Sequence, residues 1–213
     1  MNTAEAIEFY RSAKDTVKNS QFCNELDWQI SRNINSFTES ELLRETAWVI
    51  LCSGFRESVI RSHFAFITTC FCNWESSQSI CESQNLCRTT ALSSFRNERK
   101  IDAILNTAAY IREIGFEEYK TEIIRDPLPA LSRLPFIGKI TANHLAKNLG
   151  CDVAKADRHL QRFASSLGYR HPQEICSLIS NATGDPIRVV DLVLWRFFEQ
   201  QKVRERSSCP ADC

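Results

Sequence analysis

The chain has 213 residues, 43% of them hydrophobic and 24% charged, enough for one core or for two lobes sharing an interface but not for three domains. Six glycines and six prolines exclude a collagen-like or linker-rich chain and argue against an all-β fold with many tight turns. Lys and Arg (26) balance Asp and Glu (26), which excludes a globally basic nucleic-acid binder but leaves a local basic face open.

Helical periodicity runs through most of the chain. Over residues 41–52, Leu42, Thr46, Val49 and Ile50 fall on one face, with Thr38 or Ser40 as the cap. Ser53-Gly54 breaks the pattern, Phe55-Arg56-Glu57 follows, and an apolar stripe resumes over residues 59–71. Residues 73–90 are rich in Ser, Gln, Asn and Cys and read as loop or short helices. The clearest amphipathic helix spans residues 100–114, with Ile101, Ile104, Leu105, Ala108 and Ile111 on one side and Gly115 at its end. A short helix is expected at 119–125, stopped by Asp126-Pro127, then a turn at 129–134. Helices at 140–149, 157–167, 173–182 and 187–200 complete the pattern. No strand pattern competes and no internal repeat is found.

The N-terminal Met1-Asn2-Thr3-Ala4-Glu5-Ala6 has no basic region followed by an apolar one, so export by a signal peptide is not expected. Ten cysteines are therefore expected as reduced thiols in the cytoplasm, several buried as small hydrophobes. Cys70, Cys72, Cys81 and Cys87 lie close in sequence but lack the Cys-x2-Cys spacing of a zinc knuckle, and the tail offers only Cys209 and Cys213. No metal and no cofactor is expected.

Residues 134–142, Leu-Pro-Phe-Ile-Gly-Lys-Ile-Thr-Ala, carry the chemistry. Leu131 and Leu134 can anchor a short helix that Pro135 ends. Gly138 would let the backbone turn tightly and approach a neighbour closely. Thr141 then starts a helix whose Ala142, Leu145, Ala146 and Leu149 pack inward. Such a start leaves backbone N–H groups pointing outward, a geometry that suits a phosphate without reading any base. A plain αα-hairpin explains the same residues.

Leu134-Pro135-x-Ile137-Gly138-x-x-Thr141-Ala142, a Gly150-Cys151-Asp152-Val153 turn, and Ala156-Asp157-Arg158-His159-Leu160-x-Arg162 together resemble the helix-hairpin-helix DNA glycosylase superfamily, the group of endonuclease III. The resemblance implies an all-α fold of two lobes with the active cleft between them. The central lobe would span 37–150 and contain the hairpin at about 128–149. The second would combine 1–36 with 151–206, leaving 207–213 as a disordered tail. The matched aspartate is Asp157, which in this family stabilises positive charge developing on the sugar of a flipped-out nucleotide and helps orient the attacking nucleophile. An N-cap is the other reading of Asp157, and one side chain can do both.

Bifunctional members carry a lysine directly before the hairpin's Thr-Ala. Here that position is Ile140, which cannot be a nucleophile, so the resemblance implies hydrolysis by water and an abasic product. Lys139 lies one residue earlier, about 100° away around a helix, and reads as a phosphate contact or a solvated charge. Phe136 replaces the first glycine common in this hairpin. Residues 133–171 hold seven Lys/Arg and two acids, net +5, whereas 1–60 hold six and nine, net −3. That bias suits a phosphate-tracking face, although a solvated charged face explains it too.

The DNA contacts implied are Phe136, Gly138, Lys139 and Thr141 of the hairpin and Arg158, His159 and Arg162 beside the acid. Phe55 would wedge into the gap left by the extruded base, with Arg56 on the orphaned partner; Phe55 as ordinary core is the alternative. Trp28, Phe37 and Trp48 are aromatic candidates for the base pocket, or else core. The expected partner of this monomer is double-stranded DNA with a damaged or modified base, a hypermodified phage base included, in the cytoplasm (at the nucleoid, if bacterial). The alternatives are a DNA-binding protein without catalysis and a lyase using a displaced lysine, Lys139 or Lys155.

Overall fold

The computed structural model describes residues 2–155 and 157–208, with side chains through residue 201. The fold is all-α, with no strand among the described residues. Two compact units divide the chain, Met1–Arg32 with Asp152–Cys213 and Asn33–Cys151.

The Asn33–Cys151 unit opens with α3 (Glu39–Cys52), following α1 (Thr3–Lys18) and α2 (Cys23–Ser31) of the other unit. Thr38 caps it in a reciprocal box with Glu41, and Leu42, Ile50 and Leu51 are fully buried. Next come α4 (Glu57–Cys70), a 3₁₀ turn (Cys72–Trp74), α5 (Ser77–Glu82) and α6 (Gln84–Ser94), so the polar stretch at 73–90 folds as short helices. α7 (Glu98–Ile114), capped by Asn97 and ended by Gly115, lays Ile101, Ile104, Leu105, Ala108 and Ile111 against α3 and α5. Burial of each such aliphatic side chain contributes about 1.5–3 kcal/mol. α8 (Phe116–Arg125), α9 (Pro127–Leu131) and α10 (Lys139–Asn148) complete the unit, and α10 packs on both α9 and α3.

Inside this contact the Asn148 amide donates to Glu45 Oε2 at 2.8 Å, a buried polar pair. Gly150 follows at φ +102, and a Cβ there would lie 2.7 Å from the backbone of Asn33 and Ile34. No other residue fits that approach.

In the other unit, α1 (Thr3–Lys18), α2 (Cys23–Ser31), α11 (Arg158–Ser166), α12 (Pro172–Thr183) and α13 (Ile187–Ser208) enclose a second core of Tyr10, Val17, Leu160, Phe163, Ile175, Ile179, Val190 and Val193. Arg196, 2% exposed, is sandwiched between the Phe22 and Trp195 rings (4.1 and 4.3 Å) and donates to Glu25 and Glu199. These partners allow a charge to be buried in an apolar shell. α13 runs past residue 200, where its apolar pattern was expected to stop, and past the expected start of the tail at 207. The rest of that tail, with Cys209 and Cys213, lies outside the described residues, as does Ala156 of the matched motif.

No helix among the described residues is long and apolar enough to cross a membrane. Nor do the described His, Cys, Asp and Glu include a group of three placed to hold a metal ion. Burial and then the neighbouring Cys72 push the Cys87 thiol up to about 12, which makes it an inert core thiol.

Candidate DNA interface and candidate acid

The hairpin turn is built on three buried anchors, Leu131, Leu134 and Ile137. The N–H groups of Leu134 and Ile137 donate to the carbonyls of Leu131 and Leu134 at 3.1 Å, winding the chain tightly between α9 and α10. The Tyr119 hydroxyl holds the near end of the turn by donating to the Ala130 carbonyl at 2.9 Å.

The tight turn is expected at Gly138, but the left-handed residue of the turn is Phe136. Phe136 has φ +68, whereas Gly138 is extended at φ −97, ψ −177. A phenylalanine in that region costs of order 1–2 kcal/mol. Within the protein, neither backbone geometry nor crowding requires glycine at 138, because a Cβ there would meet nothing within 4 Å. What the glycine leaves is an open approach to the first turn of α10.

One donor at that helix start is used within the turn itself. The Gly138 N–H is taken by the Thr141 hydroxyl at 2.7 Å, and this hydroxyl in turn donates to the Gly138 carbonyl. The donors that helix geometry leaves without an i−4 partner are therefore those of Lys139, Ile140 and Thr141. Thr141 shapes the turn with its side chain. Lys139 is exposed, and Ile140 is 58% exposed.

Phe55 and Arg56 lie in the same unit, on the loop between α3 and α4. Phe55 is 42% exposed, so it is not ordinary core, and its ring touches Phe95 (5.3 Å between centroids). The residue that fixes this loop was not visible from sequence: Lys100, 3% exposed, in the first turn of α7. Its ammonium donates to the carbonyls of Ile50, Leu51 (2.9 Å) and Ser53 (2.6 Å), capping the C-terminus of α3 from another helix. The same nitrogen lies 5.0 Å from the Phe55 ring and 5.3 Å from the Phe136 ring. Burial pushes Lys100 down to about 8. A depressed lysine is a usual sign of a nucleophile, but all three of its donors are spent on carbonyls.

Asp157 belongs to the other unit. It caps α11 by accepting from the N–H groups of His159 (2.9 Å) and Leu160 (3.0 Å). Both bonds end on Oδ1, so Oδ2 takes no part in the cap, and the side chain is only half-buried. The preceding loop is held from three sides. The Ala154 N–H donates to Gln173 Oε1 and the Lys155 N–H to Asp191 Oδ1, both at 2.8 Å. The Arg188 N–H donates to Asp152 Oδ1 at 3.1 Å. Asp191 is fully buried. A side chain that holds a loop N–H from 19 or 36 positions away leaves no local pattern, so Gln173 and Asp191 were not legible either. Arg158 and Arg162 are exposed, and His159 is half-buried.

The aromatic pocket candidates divide. Phe37 is fully buried, edge-on to Phe116 at 6.0 Å with the Lys120 ammonium over it at 5.3 Å, and is core. Trp48 is half-buried, edge-on to Phe64 and covered by Arg61 at 5.4 Å. Trp28, half-buried beneath Arg32 at 5.5 Å, belongs to the unit of Asp157. Not every cation of the basic run at 133–171 is open to solvent within its own unit. Lys147 is buried, Arg133 pairs with Glu122, and the remaining cations are split between the two units.

No protein-family model matches the chain, and no curated protein matches it in sequence. Two solved structures from Methanocaldococcus jannaschii share its fold. An 8-oxoguanine DNA glycosylase superposes with a TM-score of 0.56 at 19% identity, covering 88% of this chain and 92% of its own. An 8-oxoguanine glycosylase/lyase in complex with a 15mer DNA containing 8-oxoguanine gives 0.54 at 19% identity, covering 86% and 94%.

Proposed function

We propose that the chain is a monofunctional DNA glycosylase, which hydrolyses the N-glycosidic bond of a damaged or modified base in double-stranded DNA and leaves an abasic site. The observation that carries this reading is Asp157: a half-buried carboxylate with one oxygen committed to a helix cap and the other outside it. The shared fold of DNA glycosylases supports it.

In this reading a phosphate of the duplex sits over Gly138 and takes the N–H groups of Lys139, Ile140 and Thr141, with the Lys139 charge beside it. Phe55 fills the gap left by the extruded base, and Arg56 faces the orphaned partner. As the bond from C1′ to the base nitrogen breaks, its electron pair leaves with the base. Asp157 stabilises the positive charge left on the sugar and orients a water whose oxygen bonds to C1′. One proton of that water ends on the released base and the other on the new hydroxyl. Ile140 can form no Schiff base, so the strand stays intact.

The test is incubation with duplexes carrying 8-oxoguanine, which both structural neighbours are described as handling, then alkylated, deaminated and mismatched bases and hypermodified phage DNA. Strand breaks only after hot alkali are expected. Breaks without alkali that borohydride traps as a covalent adduct would overturn the monofunctional reading in favour of a lyase. Binding with no base released from any of these DNAs would overturn catalysis altogether.

A further inference from the structure

Phe55 and Phe136 lie 81 positions apart in sequence, and each is about two-fifths exposed. Both rings are nevertheless drawn to one atom. The Lys100 ammonium stands 5.0 Å from one centroid and 5.3 Å from the other, which places the rings no more than about 10 Å apart. A buried ammonium under two half-open rings is an expensive arrangement if packing is the only aim, since an apolar side chain would fill the space without desolvating a charge. A large apolar ring directly after Gly54 (φ +78) also gains little burial in a loop.

We infer that Lys100 is a positioning residue that ties the Phe55 loop to the hairpin turn, so that the side chain filling the gap in the duplex and the segment gripping its backbone act as one piece. The inference rests on the proposed glycosylase reading. Carbonyls of Ile50, Leu51 and Ser53 fix the ammonium in space, and the ammonium then sets the position of each ring through its face. Phe136 is held in a left-handed conformation that phenylalanine disfavours, and its contact with Lys100 offsets part of that strain. Without the charge, the Phe55 loop keeps only its contact with Phe95 among the ring pairs.

The experiment uses the full chain and a duplex with 2-aminopurine beside a base that the wild type releases. Lys100→Met, which keeps most of the stem and loses the charge, is expected to lower the extrusion signal about tenfold at saturating protein. Phe55→Leu and Phe136→Leu, both at exposed positions, are expected to be non-additive in extrusion when Lys100 is present. Additive effects, or full extrusion by Lys100→Met, would overturn the inference; if Lys100→Met fails to fold, the Phe55–Phe136 cycle decides alone. Hydrogen exchange in the free protein separates this failure from that of the glycosylase reading. Phe55→Leu should speed exchange at residues 136–138 whether or not any base is released. Exchange coupling without base release sinks the catalytic reading and leaves the tie standing, whereas base release without exchange coupling sinks the tie.

Discussion

The Phe136 ring sits 5.3 Å above the Lys100 ammonium while its own backbone is held at φ +68, so one residue carries both the strain of the hairpin turn and a contact that offsets it. The two effects separate by substitution. Phe136→Gly removes strain and ring together, whereas Phe136→Leu keeps the strain and loses the cation–π contact. The glycine variant is expected to be more stable than the leucine variant by about 1 kcal/mol in urea unfolding. Both should lose base release; equal stabilities would show that the turn is unstrained.

Lys100 also predicts a pH dependence. Its proton leaves the folded protein at about 8 and the unfolded chain at about 10.4. Between those values the unfolded state holds more protons, so this group's contribution to stability rises with pH, is complete above about 10.4, and is lost as pH falls through 8. The three carbonyls favour the charged form, so about 3 kcal/mol is an upper bound. The difference between wild type and Lys100→Met, followed by urea midpoints from pH 7 to 10.5, should show this rise. A flat difference would mean that Lys100 keeps an ordinary affinity for its proton.

Asp157 caps α11 and is the proposed acid, and substitution separates the two roles. Asparagine caps a helix as well as aspartate, so Asp157→Asn should leave stability and DNA affinity nearly unchanged while base release falls about a hundredfold or more. Asp157→Ala should in addition lose about 1 kcal/mol of stability. Undiminished turnover by the asparagine variant would remove Asp157 from the reaction.

Lys139 is exposed at the start of α10 and is expected to meet a phosphate. Lys139→Glu should weaken binding to all duplex sequences alike and lower the slope of log affinity against log salt by about one. A loss confined to some sequences would contradict a backbone contact.

Gly150 marks a backbone crossing, with Asn33 and Ile34 atoms 2.7 Å from where its Cβ would be. Gly150→Ala should destabilise the protein by about 3 kcal/mol or more, seen as a lower thermal midpoint. A change under about 0.5 kcal/mol would show that the crossing relaxes freely.

Local pattern was enough wherever a single helix decides its own fate. The stripe from Ile101 to Ile111 needs a core on one side whatever that core is, and Thr38 with Glu41 closes a box from adjacent residues. Asp157 was legible as a cap from its place before α11, whereas its role as the acid is a proposal that only the resemblance suggested. That Ile140 cannot act as a nucleophile was legible from the sequence alone, since no fold can give its hydrocarbon side chain a lone pair.

Tertiary packing decided the rest. A lysine at a helix start reads as a solvated charge until the carbonyls of Ile50, Leu51 and Ser53, about fifty positions earlier, close around it. Phe37 and Phe55 look alike as aromatics in an apolar chain, yet packing seals the first in the core and leaves the second two-fifths open. Thr141 claims the Gly138 N–H, so even the choice of free donors at the hairpin awaited the folded turn. Periodicity and caps depend on neighbours a few residues away and are written in order along the chain. Burial of a charge, the openness of a ring and the strain at Phe136 depend on what distant segments bring to the same point.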